Sequence, residues 1–344
     1  MYDGGIYRTG EMKNEKKRMK NEGKIKQWLL LCLLIAAMGV TFTACSDDDD
    51  SPGMPDERYE VMVLFPEGGL GDQAYNDNTL RGMEQAARMR DIRLTYFTPE
   101  DDNGTEEFFR LLMTQELDRE THLLLVLAGS EYEEFARSLM ADPSAYPDME
   151  RKTVLLFEAE EQAVEVHTFK LLFYNASYAM GELAARYANR ATVLLGNSTN
   201  PEIQEGADGF CNGFRAAGGS EPVVHALADN PTGFVMPAEA YRYTAEWVME
   251  NAGNPTFIYP LAGGSSQGVY RYARENEGLF RTAGMDVDQS ALAKDIVASV
   301  VKHTDRIICQ FLVDWRDGKE LPKHSTYDVE SGMIELVTNK TSNK

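Results

Sequence analysis

Glu67-Gly-Gly-Leu-Gly-Asp-Gln-Ala-Tyr-Asn76 separates two segments of different periodicity. Before it runs Val61-Met-Val-Leu-Phe65, a continuous apolar run of strand length. After it, Leu80, Met83, Ala86 and Ala87 recur at helical spacing. The stretch therefore reads as the turn between a buried strand and a helix. In an open α/β sheet that turn lies at the carboxyl edge of the strands, where ligands sit. Gly68, Gly69 and Gly71 let the backbone bend tightly and approach a ligand. Asp72, Tyr75 and Asn76 add a carboxylate, an aromatic face and an amide. A plain structural turn has the same spacing, so the loop alone leaves both readings open.

Outward from this loop the chain alternates strand and helix. Strands are predicted at Arg58–Phe65, Ile92–Phe97, His122–Leu127 and Thr153–Phe157. Helices fall over Leu80–Met89, within Asp101–Leu117, and over Glu131–Met140. This order predicts a doubly wound parallel sheet with right-handed crossovers. Val164–Phe173 reads as extended chain leaving the first lobe. A second series follows: helix Tyr178–Ala188, strand Thr192–Leu195, helix Ala207–Ala217, strand Val223–Leu227, helix Glu239–Asn251 and strand Thr256–Leu261. The turn 262–268 then leads into a helix from Val269. Leu279–Met285 reads as a strand, and Asp295–Trp315 as one long helix with Ile296, Val300, Ile307, Phe311 and Trp315 inward. Met333–Val337 suits an edge strand. The fold class is α/β, with two doubly wound parallel-sheet lobes and a cleft between them. The N-terminal lobe is assigned 59–168 plus about 283–315, and the C-terminal lobe 169–282 plus about 316–344.

The chain has 344 residues, 43% of them hydrophobic and 26% charged, ordinary for a globular protein and enough for two cores. Of 34 Lys/Arg and 55 Asp/Glu, eight and four lie in residues 1–44, which leaves 26 basic against 51 acidic beyond them. Such a surface repels polyanions and argues against nucleic-acid partners. Residues 1–44 read as a signal peptide. Lys20, Lys24 and Lys26 form its positive region and Trp28–Val40 its apolar core, too short to span a bilayer. Phe42-Thr43-Ala44-Cys45 is similar to a bacterial lipobox, cleaved before Cys45, which would carry lipid; an uncleaved signal anchor is the other reading. Met1 and Met19 both suit as the start. Residues 45–58 read as a flexible acidic tether, and Ser46-Asp-Asp-Asp-Asp50 resembles the export tag of Bacteroides-type surface lipoproteins. The expected location is the cell envelope, lipid-anchored on a surface or periplasmic face. Cys211 and Cys309 could bond, though two buried free thiols is the preferred reading. No metal or cofactor is implied.

Two α/β lobes on a lipid tether already suggest a solute-binding protein, because a ligand held between them leaves water on both sides. Four collinear segments then resemble the basic membrane protein family, the nucleoside-binding lipoproteins of ABC importers. These are Gly69-Leu-Gly-Asp72-Gln-Ala-Tyr75-Asn76 with Gly82, and Ala207-Asp-Gly209-Phe210-Cys-Asn-Gly213-Phe214. The others are Leu261-Ala-Gly263-Gly264-Ser-Ser-Gln-Gly268-Val269, and Ala283-Gly-Met-Asp286-Val-Asp288-Gln289 with Ser299-Val-Val-Lys302. The resemblance implies a type I periplasmic-binding-protein-like fold, a monomer and an ABC permease as partner. It also implies that Asp72 and Asn76 bond polar ligand atoms, Tyr75 stacks on a base, and Gly264 lets backbone approach. Asp286 would accept from ribose hydroxyls, with Lys302 orienting it or bonding the sugar. Glu158 stands where the family has a base-reading Asp, and Gly129-Ser130 where it has Gly-Phe/Tyr. The family's second stacking Phe is replaced by Gly206.

Structural readings compete at each position. Asp72 could cap the helix, Tyr75 could be core, and Asp286 with Lys302 could form an ion pair across the hinge. Gly263-Gly264-Ser265-Ser266 could cradle an anion. His122, His167, His225, His303 and His324 are scattered beside no nucleophile motif. Three functions follow: a receptor that hands a nucleoside-like solute to a transporter; a nucleoside or sugar hydrolase using Asp72 or Glu158 with Asp286; and a surface lipoprotein binding another sugar-like solute or a protein. No hydrolase, zinc or phosphate-loop motif supports the second, so the chain is read as no enzyme.

Overall fold

The computed structural model describes residues 57–66, 69–98, 102–159 and 166–339. The signal peptide, nearly all of the tether, Cys45, Glu67 and Gly68 lie outside the described residues. Among the described residues no helix is long and apolar enough to cross a membrane.

The first sheet is built from β1 (Arg58–Leu64), β2 (Ile92–Phe97), β3 (Thr121–Leu127), β4 (Lys152–Phe157), β5 (His167–Leu171) and β11 (His324–Tyr327), in the order β11-β5-β4-β3-β1-β2. All its pairings are parallel. The second holds β6 (Arg190–Asn197), β7 (Val223–Ala228), β8 (Thr256–Leu261), β9 (Arg281–Asp286), β10 (Ile296–Lys302) and β12 (Ile334–Thr338), in the order β12-β10-β9-β8-β6-β7. Only β12 runs antiparallel, on the outer edge of β10. Leu123–Leu127 on β3 and every residue of β8 and β10 are buried, as a parallel sheet covered on both faces requires. The helices are α1 (Tyr75–Arg90), α2 (Asp102–Thr114), α3 (Glu133–Leu139), α4 (Tyr174–Ala184), α5 (Pro201–Ala216), α6 (Pro237–Glu250), α7 (Ser266–Glu275) and α8 (Thr304–Arg316). The two sheets share one plan. Their first five strands follow the doubly wound order 2-1-3-4-5, whose switch point lies between the loops after strands one and three.

Two expectations are corrected. Asp295–Trp315 is not one helix: Ile296–Lys302 is strand β10, and α8 begins at Thr304. Ile-Val-Ala-Ser-Val-Val is a β-branched run buried on both faces, which suits a sheet centre better than a helix. The same change moves the lobe boundary. Residues 281–302 pair in the second sheet, and only α8 returns to the first lobe, where it packs on α1. The C-terminal segment divides likewise, β11 joining the first sheet and β12 the second. The chain therefore crosses between lobes after β5, after β10 and after β11. At the middle crossing, Asn78 on α1 donates through Nδ2 to the Lys302 carbonyl at 3.2 Å and to Thr304 Oγ1 at 3.0 Å. Cys211 and Cys309 are buried and free.

Candidate ligand-binding cleft

Every predicted ligand-binding residue lines one interlobe cavity. Asp72, Tyr75 and Asn76 follow β1, Gly129 follows β3 and Glu158 follows β4, all on the first lobe. Gly264 follows β8, while Asp286 and Lys302 end β9 and β10, on the second. All lie at carboxyl ends of strands, because both sheets aim that edge at the gap between lobes. Sequence reasoning missed Asn200 and Glu202, after β6, and Phe234, after β7.

Asp72 is held as a cap. Its Oδ1 accepts from the N–H of Ala74 at 2.9 Å and of Asp77 at 3.2 Å, and its Oδ2 from Asn76 at 2.9 Å. In return Asp77 accepts from the N–H groups of Gly71 and Gln73, at 2.7 and 2.9 Å. The loop is thus fixed against the first turn of α1. Burial outweighs those donors and pushes the Asp72 carboxyl up to about 6. Asn76 donates to the Gly69 carbonyl at 3.1 Å, and among the described residues its buried Oδ1 has no hydrogen-bond partner.

Tyr75 and Glu158 form the next layer. The Tyr75 hydroxyl donates to Glu158 Oε1 at 3.0 Å, and the Leu171 N–H donates to Oε2 at 3.0 Å. Burial first, then the Glu158 charge, raises the phenol well above its ordinary value. Burial raises Glu158 too, against the pull of Lys302. Tyr75 is half-buried, so its ring belongs to the cavity wall rather than to a sealed core.

Asp286 and Lys302 pair at 3.3 Å from adjacent strand ends of one sheet, not across the hinge. The Lys302 ammonium also sits 3.9 Å from the centroid of the buried Phe173 ring, a cation–π contact. Glu158 and Asp286 have φ of 56° and 69°. That left-handed conformation is strained for a non-glycine residue, and it turns each carboxylate off its strand toward the gap. The Gly263–Ser265 turn cradles no anion with its serine, because Ser265 Oγ donates to the Gly233 carbonyl at 2.7 Å and accepts from the Met236 N–H at 2.6 Å. The charged lining comprises Asp72, Glu131, Glu158, Glu202 and Asp286 against Lys302 alone. Among the described residues no cluster of His, Cys, Asp and Glu could hold a metal.

Two six-stranded α/β lobes with polar side chains converging at facing strand edges have a periplasmic-binding-protein-like architecture. The chain belongs to the Bmp family, the ABC transporter substrate-binding proteins described as PnrA-like, whose model matches residues 59–344. No curated protein matches it in sequence. Among solved structures it is similar to an ABC transporter solute-binding protein from Aeropyrum pernix K1, at 19% identity and TM-score 0.66, covering 81% of this chain and 76% of that one. A periplasmic solute-binding protein from Actinobacillus succinogenes 130z, with bound D-allose, matches at 13% identity and TM-score 0.61, over 83% and 99%. A transcriptional activator of the comK gene from Bacillus halodurans matches at 16% and 0.61, over 81% and 89%. At these identities the likeness establishes the fold and leaves the ligand to the site.

Proposed function

We propose that this protein is a lipid-anchored, non-enzymatic receptor that captures a nucleoside-like solute in the cleft and presents it to an ABC importer. The observation that carries the reading is the union, in one cavity, of the Tyr75 ring with the Asp286–Lys302 pair. A flat base gains from an aromatic face, and vicinal hydroxyls suit a carboxylate able to accept two bonds. Five carboxylates against one ammonium favour a neutral, donor-rich solute over a phosphorylated one. Asn76 Oδ1 supplies a further buried acceptor awaiting a donor.

The test is mass spectrometry of natively purified protein, followed by melting against nucleosides, nucleotides, bases and free sugars. A ligand at 100 times its Kd adds about 2.7 kcal/mol of stability. Stabilisation by nucleosides but not by their phosphates supports the reading. A flat profile across the panel, or a response to hexoses alone, refutes it. Chromatography after overnight incubation with the same nucleosides checks the absence of hydrolysis, since free base would reveal an enzyme.

A further inference from the structure

Lys302 carries the ammonium of the cleft lining, and it belongs to both lobes. Its backbone ends β10, paired with Ile334 of β12 in the second sheet. Its ammonium looks the other way, 5.7 Å from the centroid of the Tyr75 ring and near enough to Glu158 to act on that carboxyl. What joins the two is outside the cavity. The Lys302 carbonyl accepts at 3.2 Å from Nδ2 of Asn78, a buried side chain on α1 of the first lobe. The same nitrogen lies 3.0 Å from Thr304 Oγ1 and 3.4 Å from Asp305 Oδ1, so it spans the crossing from β10 to α8. An amide nitrogen has two hydrogens, and the two shorter contacts use them. Asn78 is itself held on two sides: its N–H donates to the Ala74 carbonyl at 3.0 Å, and its Oδ1 accepts from Arg81. One turn further on, α1 meets the same crossing with no room to slide, because a Cβ on Gly82 would overlap the Asp305 backbone. Helix packing alone would be served by an apolar side chain. A buried amide aimed at the carbonyl of a charged cleft residue fixes direction as well as distance. Asn78 and Tyr75 are three residues apart and share a face of α1. The helix bearing the aromatic wall therefore also fixes the strand end bearing the ammonium.

Resting on the receptor reading above, we propose that Asn78 is a positioning residue of the cleft, which acts through Lys302 and holds the second lobe's strand end in register with Tyr75 of the first. Asn78 is not part of the cavity lining, so its effect on a solute is indirect. Closure that turns about this crossing leaves Tyr75 and Lys302 at one spacing. The cost of arranging that pair is then met on folding and not on binding.

Two readouts test the assignment. In the free protein, carbon-13 labelling of lysine gives the Lys302 ε-methylene resonance, identified by its loss in Lys302→Met. It should lie upfield, because the ammonium sits 3.9 Å from the centroid of the Phe173 ring. The resonance is expected to move toward the ordinary lysine position in Asn78→Ala, and in Asn78→Ser, whose hydroxyl is too short to reach the carbonyl. Thr304→Ala removes a partner of Asn78 but leaves the Lys302 carbonyl bonded, so it should lower the melting temperature without moving the resonance. In calorimetric titration with guanosine and adenosine, Asn78→Ala should bind about tenfold more weakly. That loss should disappear in the Lys302→Met background, where no ammonium is left to place. A purely structural role would give the same loss in both backgrounds. An unmoved Lys302 resonance in the folded Asn78 variants, or equal losses with and without the ammonium, overturns the proposal while the receptor reading stands. If wild type binds neither nucleoside, the nucleoside reading falls, and the resonance alone decides for or against Asn78.

Discussion

Asp286→Asn separates ligand recognition from folding. The substitution keeps size and one acceptor oxygen, and Asn tolerates the φ of 69° at least as well as Asp. What it removes is the charge. Two ribose hydroxyls donating to a carboxylate contribute about 1.5–3 kcal/mol each. Since one carbonyl acceptor survives, the expected loss is ~3 kcal/mol, or on the order of 10²-fold in Kd. The free protein should suffer less. Breaking a buried ion pair costs about 3–5 kcal/mol when it strands a charge. Lys302 is not stranded, because Glu158 attracts it and the Phe173 ring lies 3.9 Å away. A destabilisation of about 1–2 kcal/mol, or ~5 °C in Tm, is expected. Calorimetric titration with the nucleoside that most stabilises the wild type, beside scanning calorimetry of the free proteins, reads both quantities. A folded Asp286→Asn protein whose Kd changes less than about threefold would refute the role given to this carboxylate. Asp286→Ala is the poorer probe, because Ala in the left-handed region adds about 1–2 kcal/mol of strain.

Asp72→Asn should change the pH dependence of stability. The folded carboxyl titrates at about 6 and the unfolded one near 3.8, so the folded state binds more protons between those values. Stability from this group is then present below about pH 4 and lost as pH rises through 6, by up to ~3 kcal/mol. Thermal melts from pH 4 to 7 should show a falling slope in wild type that Asp72→Asn flattens; parallel profiles would contradict it. Tyr75→Phe keeps the ring but removes the donor 3.0 Å from Glu158 Oε1, so stability should drop by about 1–3 kcal/mol while nucleoside affinity stays within a few-fold. Denaturant unfolding and titration measure the two, and a loss of affinity larger than the loss of stability would assign the hydroxyl to the ligand. Gly206→Phe should not restore a family-like stack, because a Cβ there overlaps the Phe173 ring. Overpacking costs about 1–3 kcal/mol, and Phe173→Ala should relieve part of it, so the double variant is expected to be more stable than the sum of the singles. Additive losses in a double-variant cycle would show that the two positions do not compete.

The strand-to-helix loop at 69–76 was legible because its chemistry is local: an apolar run, glycines and polar residues, then helical spacing. So were Asp286 and Lys302, whose motifs end strands. The error at Asp295–Lys302 has a physical cause. Ile296, Val297, Val300 and Val301 satisfy a helical stripe as well as a strand buried on both faces. Only the β-branched content favoured the strand, and its partners, β9 and β12, come from both sides of it in sequence. Glu202 was missed for a related reason. Helical spacing is plain from Ala207, but Asn200-Pro201 is a start signal, with the Asn200 side chain accepting the Ile203 N–H at 2.9 Å and Pro201 in the first turn. Moving the start back places Glu202 at the carboxyl end of β6, as α1 places Tyr75 after β1. Phe234 left no such trace, since nothing in an irregular segment says which way a ring points until Gly196, Gly263 and Ser265 are brought beneath it.

The energetics of the free cleft give the same answer as its geometry. Gln73, Glu158 and Asp286 hold positive φ without being glycine, and each stands at the cleft or its rim. Such conformations cost about 1–3 kcal/mol each and persist only where surrounding structure enforces them. Burial disfavours the charges of Asp72 and Glu158 besides, and among the described residues Asn76 Oδ1 lacks a donor. Of the other non-glycine residues with positive φ, Asp91 is the C-cap of α1 and Asp148 precedes a 3₁₀ turn, and buried Lys152 is satisfied by three carbonyls at 2.7–2.8 Å. Several unfavourable terms thus meet where two lobes present carboxylates to each other. A partner bringing hydroxyl and N–H donors offsets several at once, and the facing carboxylates then favour closure instead of resisting it. The Gln289 Nε2 contact with the Gln73 carbonyl, at 3.5 Å between the lobes, is long for a hydrogen bond.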